Sequence, residues 1–207
     1  GAAHKEVPMK IGINSGGPTI AKTIADAQRA ETEGFDTYSM PGDAVATLSH
    51  VAAQTERIRL ITAVVPIFGI HPAVLAQQAL KAHEIAAGRF TLGIGLAHRV
   101  SVEGRLGMSF ERPAVRMREY LSILNPLLRG EAVNVRDEFY TYNGEATPVI
   151  GEGNIDCAIA ALGPVMLRIC GEQTAGTVPF GSPGAPLGTR MMSGTRVQTR
   201  HAVYFCQ

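Results

Sequence analysis

Three short stretches carry the residue types that could hold and transform a small molecule. In TAVVPIFGIHPAV, Ala63, Val64 and Pro66 stand at the end of a strand-like run. In FTLGIGLAH, Gly93 and Gly95 alternate along one face, which leaves room for a bulky planar group or for neighbouring side chains. In AALGPVML the chain passes from a strand directly into a helix, so the amides of Leu162 and Gly163 and the helix N-terminus could hold a phosphate. Pro164 at the first helical position has no N–H to lose, which also suits a plain tight turn. Without further support, Ala63, Val64 and Pro66 read as core.

Other chemistries lack their residues. The nucleophile elbow, the P-loop, the H-E-x-x-H zinc motif, C-x-x-C and the calcium loop are all absent. The six histidines, His4, His50, His71, His83, His98 and His201, are not paired at metal-ligand spacing, so no metal is expected. His50 and His83 fall on helix patterns as surface or packing residues. Cys157, Cys170 and Cys206 are odd in number and widely spaced, and read as reduced thiols.

The elements that must position these stretches alternate regularly. A strand at KIGIN leads into a helix with Ile20, Ile24, Ala27 and Ala30 on one face, stopped by Gly34. FDTYSM is the second strand, and Asp43 is a plausible N-cap for the helix carrying Leu48, Val51 and Ala52. IRLITAVV is apolar throughout, as expected of a strand covered on both faces in a parallel sheet. The next helix opens at His71 and Pro72, buries Leu75, Ala79, Ala82 and Ile85, and ends at Gly88; His71 orders the loop before it.

Strand four is FTLGIGL. Ala97 to Glu111 reads as an irregular stretch, longer than most βα loops and therefore functional or a partial lid. Pro113 opens a helix that buries Met117, Tyr120, Leu121, Leu124 and Leu128, with a kink expected at Pro126. VNVRDEFYTY is an excursion hairpin, CAIAAL is strand five, and a sixth strand begins near Thr177. Short connections between alternating strands and helices imply right-handed parallel crossovers. The first turn, INSGGPTI, lacks G-x-G-x-x-G, so a (β/α)8 barrel is expected rather than a dinucleotide-binding sheet.

The bulk properties agree with a small-molecule enzyme. Of 207 residues, 45% are hydrophobic, and the formal charge is +1, giving no reason to expect nucleic acid or a membrane surface as partner. No apolar run approaches the roughly 20 residues of a membrane span, and a cytoplasmic location is expected. Residues 1–8, before Met9, read as a leader or expression remnant. From Gln173 onward there is no Asp or Glu, and prolines and glycines crowd 179–188. Because a complete barrel needs about 250 residues, strands seven and eight are expected to be missing and residues 179–207 to form an irregular tail, the mark of a frameshifted or truncated end.

Taken together, 62–80, 88–99, 112–131 and 157–172 resemble the luciferase-like monooxygenase family, most of all its deazaflavin-dependent oxidoreductases, over about Met9 to Val178. The resemblance implies an α/β fold, a TIM-type (β/α)8 barrel, incomplete at about six strands. It implies coenzyme F420 as cofactor, a non-prolyl cis peptide at Ala63–Val64 behind the deazaflavin ring, Gly95, Leu96 and Ala97 bordering it, and Leu162 and Gly163 on its phosphate. His98 then faces the substrate and is the candidate proton donor. Related sugar-phosphate dehydrogenases act with a glutamate near this strand end, whereas here His98 has no adjacent acid, so the resemblance does not assign that substrate and leaves the substrate open. The expected reaction is hydride transfer between C5 of the deazaflavin and a small organic molecule. The alternatives are an FMN-dependent monooxygenase, a binding protein without turnover like the short non-fluorescent flavoproteins of luminous bacteria, and an inactive fragment. Exposed strand edges would favour a homodimer.

Overall fold

The computed structural model describes residues 11–42, 44–150, 153–161, 163–178 and 205–206. The expected leader, Asp43 and nearly all of the expected tail lie outside them. The order is β1 (Gly12–Asn14), α1 (Ile20–Thr32), β2 (Thr37–Met40), α2 (Val45–Ala52), β3 (Arg59–Thr62), β4 (Val65–Pro66), α3 (Pro72–Ile85) and β5 (Phe90–Gly95). Then come α4 (Arg99–Leu106), α5 (Pro113–Leu128), β6 (Val133–Arg136), β7 (Thr141–Gly144), β8 (Asp156–Ile159), α6 (Pro164–Gln173), β9 (Gly176–Thr177) and β10 (Phe205–Cys206).

One parallel sheet runs β10-β1-β2-β3-β5-β8-β9, with β4 beside β5. The larger core unites Ala27 of α1, Leu48 of α2, Leu75 of α3, Leu121 of α5 and Ile169 of α6 with strand residues such as Tyr38, Leu92 and Ile159. All of these helices therefore cover a single face. The opposite face holds a smaller cluster of Ile61, Ala63, Ala158 and Val178. One face wrapped by helices and one narrow inner face is the arrangement of a (β/α) barrel, here incomplete, and not of a sheet wound on both sides. Each fully buried Leu or Ile of the outer layer contributes about 1.5–3 kcal/mol.

The helix faces match the sequence pattern in their middles and depart from it at their ends. All five residues expected inside from α5 are buried, and the helix continues through Pro126 to Leu128. In α1, Ile20 is 47% exposed while Thr23 is fully buried. Thr23 Oγ1 accepts from the Gly17 amide at 3.0 Å and donates to the Thr19 carbonyl at 3.0 Å, so its polarity is satisfied inside. In α3, Ile85 is likewise 47% exposed and His83 is buried as a packing residue. Helix α2 starts after Ala44, which makes no side-chain cap.

Two larger differences concern the site. The apolar run after Ile58 is not one strand: the ladder pairs Ile61 with Thr91 but Val65 with Ile94, so one extra residue is accommodated between β3 and β4 as a bulge. The stretch from Ala97 to Glu111 is not irregular throughout, because α4 occupies Arg99–Leu106. The hairpin β6–β7 is antiparallel as expected. Among the described residues no helix is long and apolar enough to cross a membrane.

Candidate active site at the carboxyl ends of the strands

The bulge between β3 and β4 is held by Thr62. Its hydroxyl accepts from the Gly93 amide and donates to the Gly93 carbonyl, both at 2.8 Å, replacing the main-chain ladder where the strands part. The Ala63 amide donates to the Met40 carbonyl at 2.7 Å, tying the other side to β2. The Ala63–Val64 peptide that follows is cis, at the position the family resemblance implies. Ala63 is buried in the inner cluster, and Val64 packs against it.

Glycine at 93 and 95 answers to this bulge. A Cβ at position 93 would lie 2.0 Å from the Thr62 carbonyl oxygen, and one at position 95 would lie 2.6 Å from Val64 Cγ2 and 3.3 Å from Ala160 Cβ. Of the two readings of that glycine pair, the one with neighbouring protein atoms holds: the space beside the strand is filled by the adjacent strand. Val64, Gly95 and Ala160 thus meet at the ends of three consecutive barrel strands.

Leu96 is half-buried and packs against the outer core. Ala97 is exposed and left-handed, with φ +59°, a conformation that costs a non-glycine residue of the order of 1 kcal/mol and turns the chain out of β5. His98 follows as the exposed N-cap of α4, without a side-chain cap bond. Leu162 lies outside the described residues. Gly163, without a side chain to cap with, is the N-cap of α6, and nothing lies within 4 Å of where its Cβ would be. The start of a helix leaves its first amides without intrahelical partners, although Pro164 at the first position has none to offer. The structure brings Val64 and Gly95 into contact, while His98 and Gly163 stand separately at the ends of β5 and β8.

His71 orders its loop as expected: Nδ1 accepts from the Ala73 amide at 3.2 Å, capping α3. Beyond it lies an aromatic and cationic stack that the sequence reading missed. Arg99 lies over Phe110 at 5.1 Å, Phe110 stacks on Phe68 at 5.3 Å, and Arg116 lies between Phe68 at 4.9 Å and Phe139 at 4.1 Å. Arg116 is 8% exposed, so its charge is stabilised by ring faces in place of water. The stack joins the loop after β4, the segment around α4, helix α5 and the hairpin. Glu119 adds to it by accepting from the Phe139 amide at 2.7 Å. An arginine on a helix is read as a surface charge from sequence, which is why Arg116 gave no signal.

A cleft of about 570 Å³ lies at the other end of the sheet, where Asn154 and Asp156 enter β8 and the last turns of α5 and α6 pass. It is remote from the bulge and from Gly163, so the strand ends remain the candidate site. Among the described residues no group of His, Cys, Asp or Glu could hold a metal ion.

The sequence profile of the luciferase-like monooxygenase family matches residues 7–196, so the likeness runs on past Val178, where it had been expected to stop. The chain is 35% identical over 155 residues to a 5,10-methylenetetrahydromethanopterin reductase of Archaeoglobus fulgidus, covering 72% of this chain and 46% of the relative. It is 30% identical over 154 residues to an F420-dependent glucose-6-phosphate dehydrogenase of Rhodococcus hoagii, covering 72% and 45%. The fold is similar to that of the coenzyme F420-dependent tetrahydromethanopterin reductase of Methanopyrus kandleri, with a TM-score of 0.73 at 20% identity over 84% of this chain and 56% of that one. The chain thus spans about half the length of the relatives it matches.

Proposed function

The chain belongs to the luciferase-like monooxygenase family, and from that premise we propose that it is a coenzyme F420-dependent oxidoreductase acting on a small organic substrate. What supports the reading most is the meeting of Val64, Gly95 and Ala160 at the ends of three adjacent strands. Two relatives bear names that state F420 dependence, one a curated dehydrogenase and one a solved reductase.

The residues fit such a group. Ala63 and Val64 form a firm apolar backing, fixed by Thr62 on one side and Met40 on the other, against which a planar ring can rest. Gly95, Leu96 and Ala97 border it, and the left-handed Ala97 directs the chain away from the ring edge. The start of α6 at Gly163, with Leu162 before it, would take the phosphate, because a helix N-terminus offers amides without intrahelical partners and its dipole favours an anion.

When bound, the deazaflavin supplies or accepts a hydride at C5. The protein's part is orientation and the proton. His98, exposed at the first turn after β5, would deliver a proton to the substrate oxygen on reduction and would take it back in the reverse direction. Amide NMR of the labelled chain tests the placement. Adding F420 is expected to shift Gly95, Ala97 and Gly163 together; shifts confined to the cleft at Asn154 and Asp156 would place the cofactor elsewhere and end this reading.

A further inference from the structure

We infer that Arg116 is a positioning residue for the strand-end site: buried between the hairpin and the loop after β4, its guanidinium fixes that loop and, through it, the end of β5 that borders the ring. The inference rests on the oxidoreductase reading above and adds a residue to its site.

The path from Arg116 to the site is short and continuous. Residues 65–68 follow directly on the cis peptide: Val65 and Pro66 pair with Ile94 and Gly95, and the Ile67 amide donates to the Gly95 carbonyl at 2.9 Å. Phe68 comes next, buried, and its ring takes the Arg116 guanidinium at 4.9 Å and the Phe110 ring at 5.3 Å. The same guanidinium lies 4.1 Å from the Phe139 ring and 5.9 Å from that of Tyr140. One side chain near the start of α5 therefore bridges the turn of the hairpin, between β6 and β7, and the strand end where the ring would rest.

No counterion explains a charge in this place. Arg116 is buried, forms no ion pair among the described residues, and its Nε has no hydrogen-bond partner among them. Glu119, one turn further along α5, accepts from the Phe139 amide, and Glu138 pairs with Arg112. Burying a charge without an ionic partner is costly, and an apolar side chain of the same length would fill the space without that cost. What the guanidinium adds is attraction to several ring faces at once, which sets how Phe68 and Phe139 stand relative to each other. Its contribution is to the geometry of the loop more than to the stability of the fold.

The test follows hydrogen exchange of single amides in the full chain without cofactor, with F420 binding measured alongside by fluorescence polarisation. In Arg116→Met the Ile67 amide is expected to exchange roughly tenfold faster, as befits loss of a desolvated cation–π contact. The Leu60 amide, bonded to the Arg89 carbonyl where β5 begins, should keep its rate. The melting temperature should stay near wild type while F420 binding weakens. Arg116→Lys should recover most of both losses, because an ammonium is also drawn to ring faces. Phe139→Leu leaves the loop's own residues intact; it should speed Ile67 in the wild-type background and add nothing in Arg116→Met, and it carries the test if Arg116→Met does not fold. The inference is overturned if Ile67 keeps its rate in either variant, if Leu60 accelerates equally, or if lysine does no better than methionine. Loosening of Ile67 in a chain that binds no F420 even as wild type would uphold the hold of Arg116 on the strand end and remove the cofactor reading.

Discussion

Val64 lies across the face of Gly95, so close that a methyl group added to the glycine would come within 2.6 Å of Val64 Cγ2. The contact joins the bulge after β3 to the end of β5, the two elements on which the cofactor reading depends. Gly95→Ala should push Val64 out of position and weaken F420 binding about tenfold or more, while Val64→Ala in the same chain should restore much of it. Gly93→Ala offers a contrast, because its methyl would meet the Thr62 carbonyl at 2.0 Å and main chain cannot move aside as a side chain can. That variant should lose about 3 kcal/mol of stability with no rescue by Val64→Ala, as read by denaturant unfolding. Equal effects of the two glycine replacements would mean that Val64 does not occupy this place.

Glu31 ties α1 to the start of β3. Its carboxylate accepts from the amides of Glu56 at 3.0 Å and Ile58 at 2.8 Å, and from that of Arg57. Burial acts to raise its pKa, but the three amides together hold it below the ordinary glutamate value. A lowered folded pKa means that the ionised carboxylate stabilises the fold above the ordinary value, and that this contribution fades as pH falls through the lowered one. Glu31→Gln should therefore melt below wild type at pH 7, with the gap closing as the pH drops below the ordinary glutamate range. A gap that stays constant with pH would show that the charge is not what the amides hold.

Cys157 is buried between β8 and α6, at the edge of the cleft beside Asp156. Burial, with smaller effects from Cys170 and Asp156, pushes its thiol up to about 12. At pH 8 it is a buried thiol and not a thiolate, and both features suppress alkylation. Peptide mapping after iodoacetamide treatment should find Cys157 unmodified in the native chain and modified after unfolding in guanidinium. Rapid native labelling would mean that α6 opens from the sheet.

The parts of this fold that could be read in advance are those in which a long apolar stripe repeats without interruption. Helix α5 is the clearest case, since Met117, Tyr120, Leu121, Leu124 and Leu128 all face inward. Ile20 and Ile85 were misplaced because periodicity treats a helix end like its middle, whereas the terminal residues of α1 and α3 sit at the rims of the sheet, where the covering layer stops. Helix α4 was hidden because Val102 is its one buried residue and Gly104 interrupts it. The bulge could not be derived from apolar character alone: IRLITAVV has the composition of one continuous strand, and only the slip in pairing from Thr91 to Ile94 reveals the extra residue. Arg116 was missed for a related reason, as its partners Phe68 and Phe139 lie far away in the chain.

The claim that carries the rest is that these strand ends hold a deazaflavin. It is tested most directly by titrating the purified chain into coenzyme F420, following the cofactor's own fluorescence polarisation with FMN as competitor, since the protein has no tryptophan to interfere. Saturable binding that FMN fails to displace, and that Gly95→Ala weakens, is the predicted result. Displacement of F420 by FMN at equal concentration, or no binding of either ring, would contradict it.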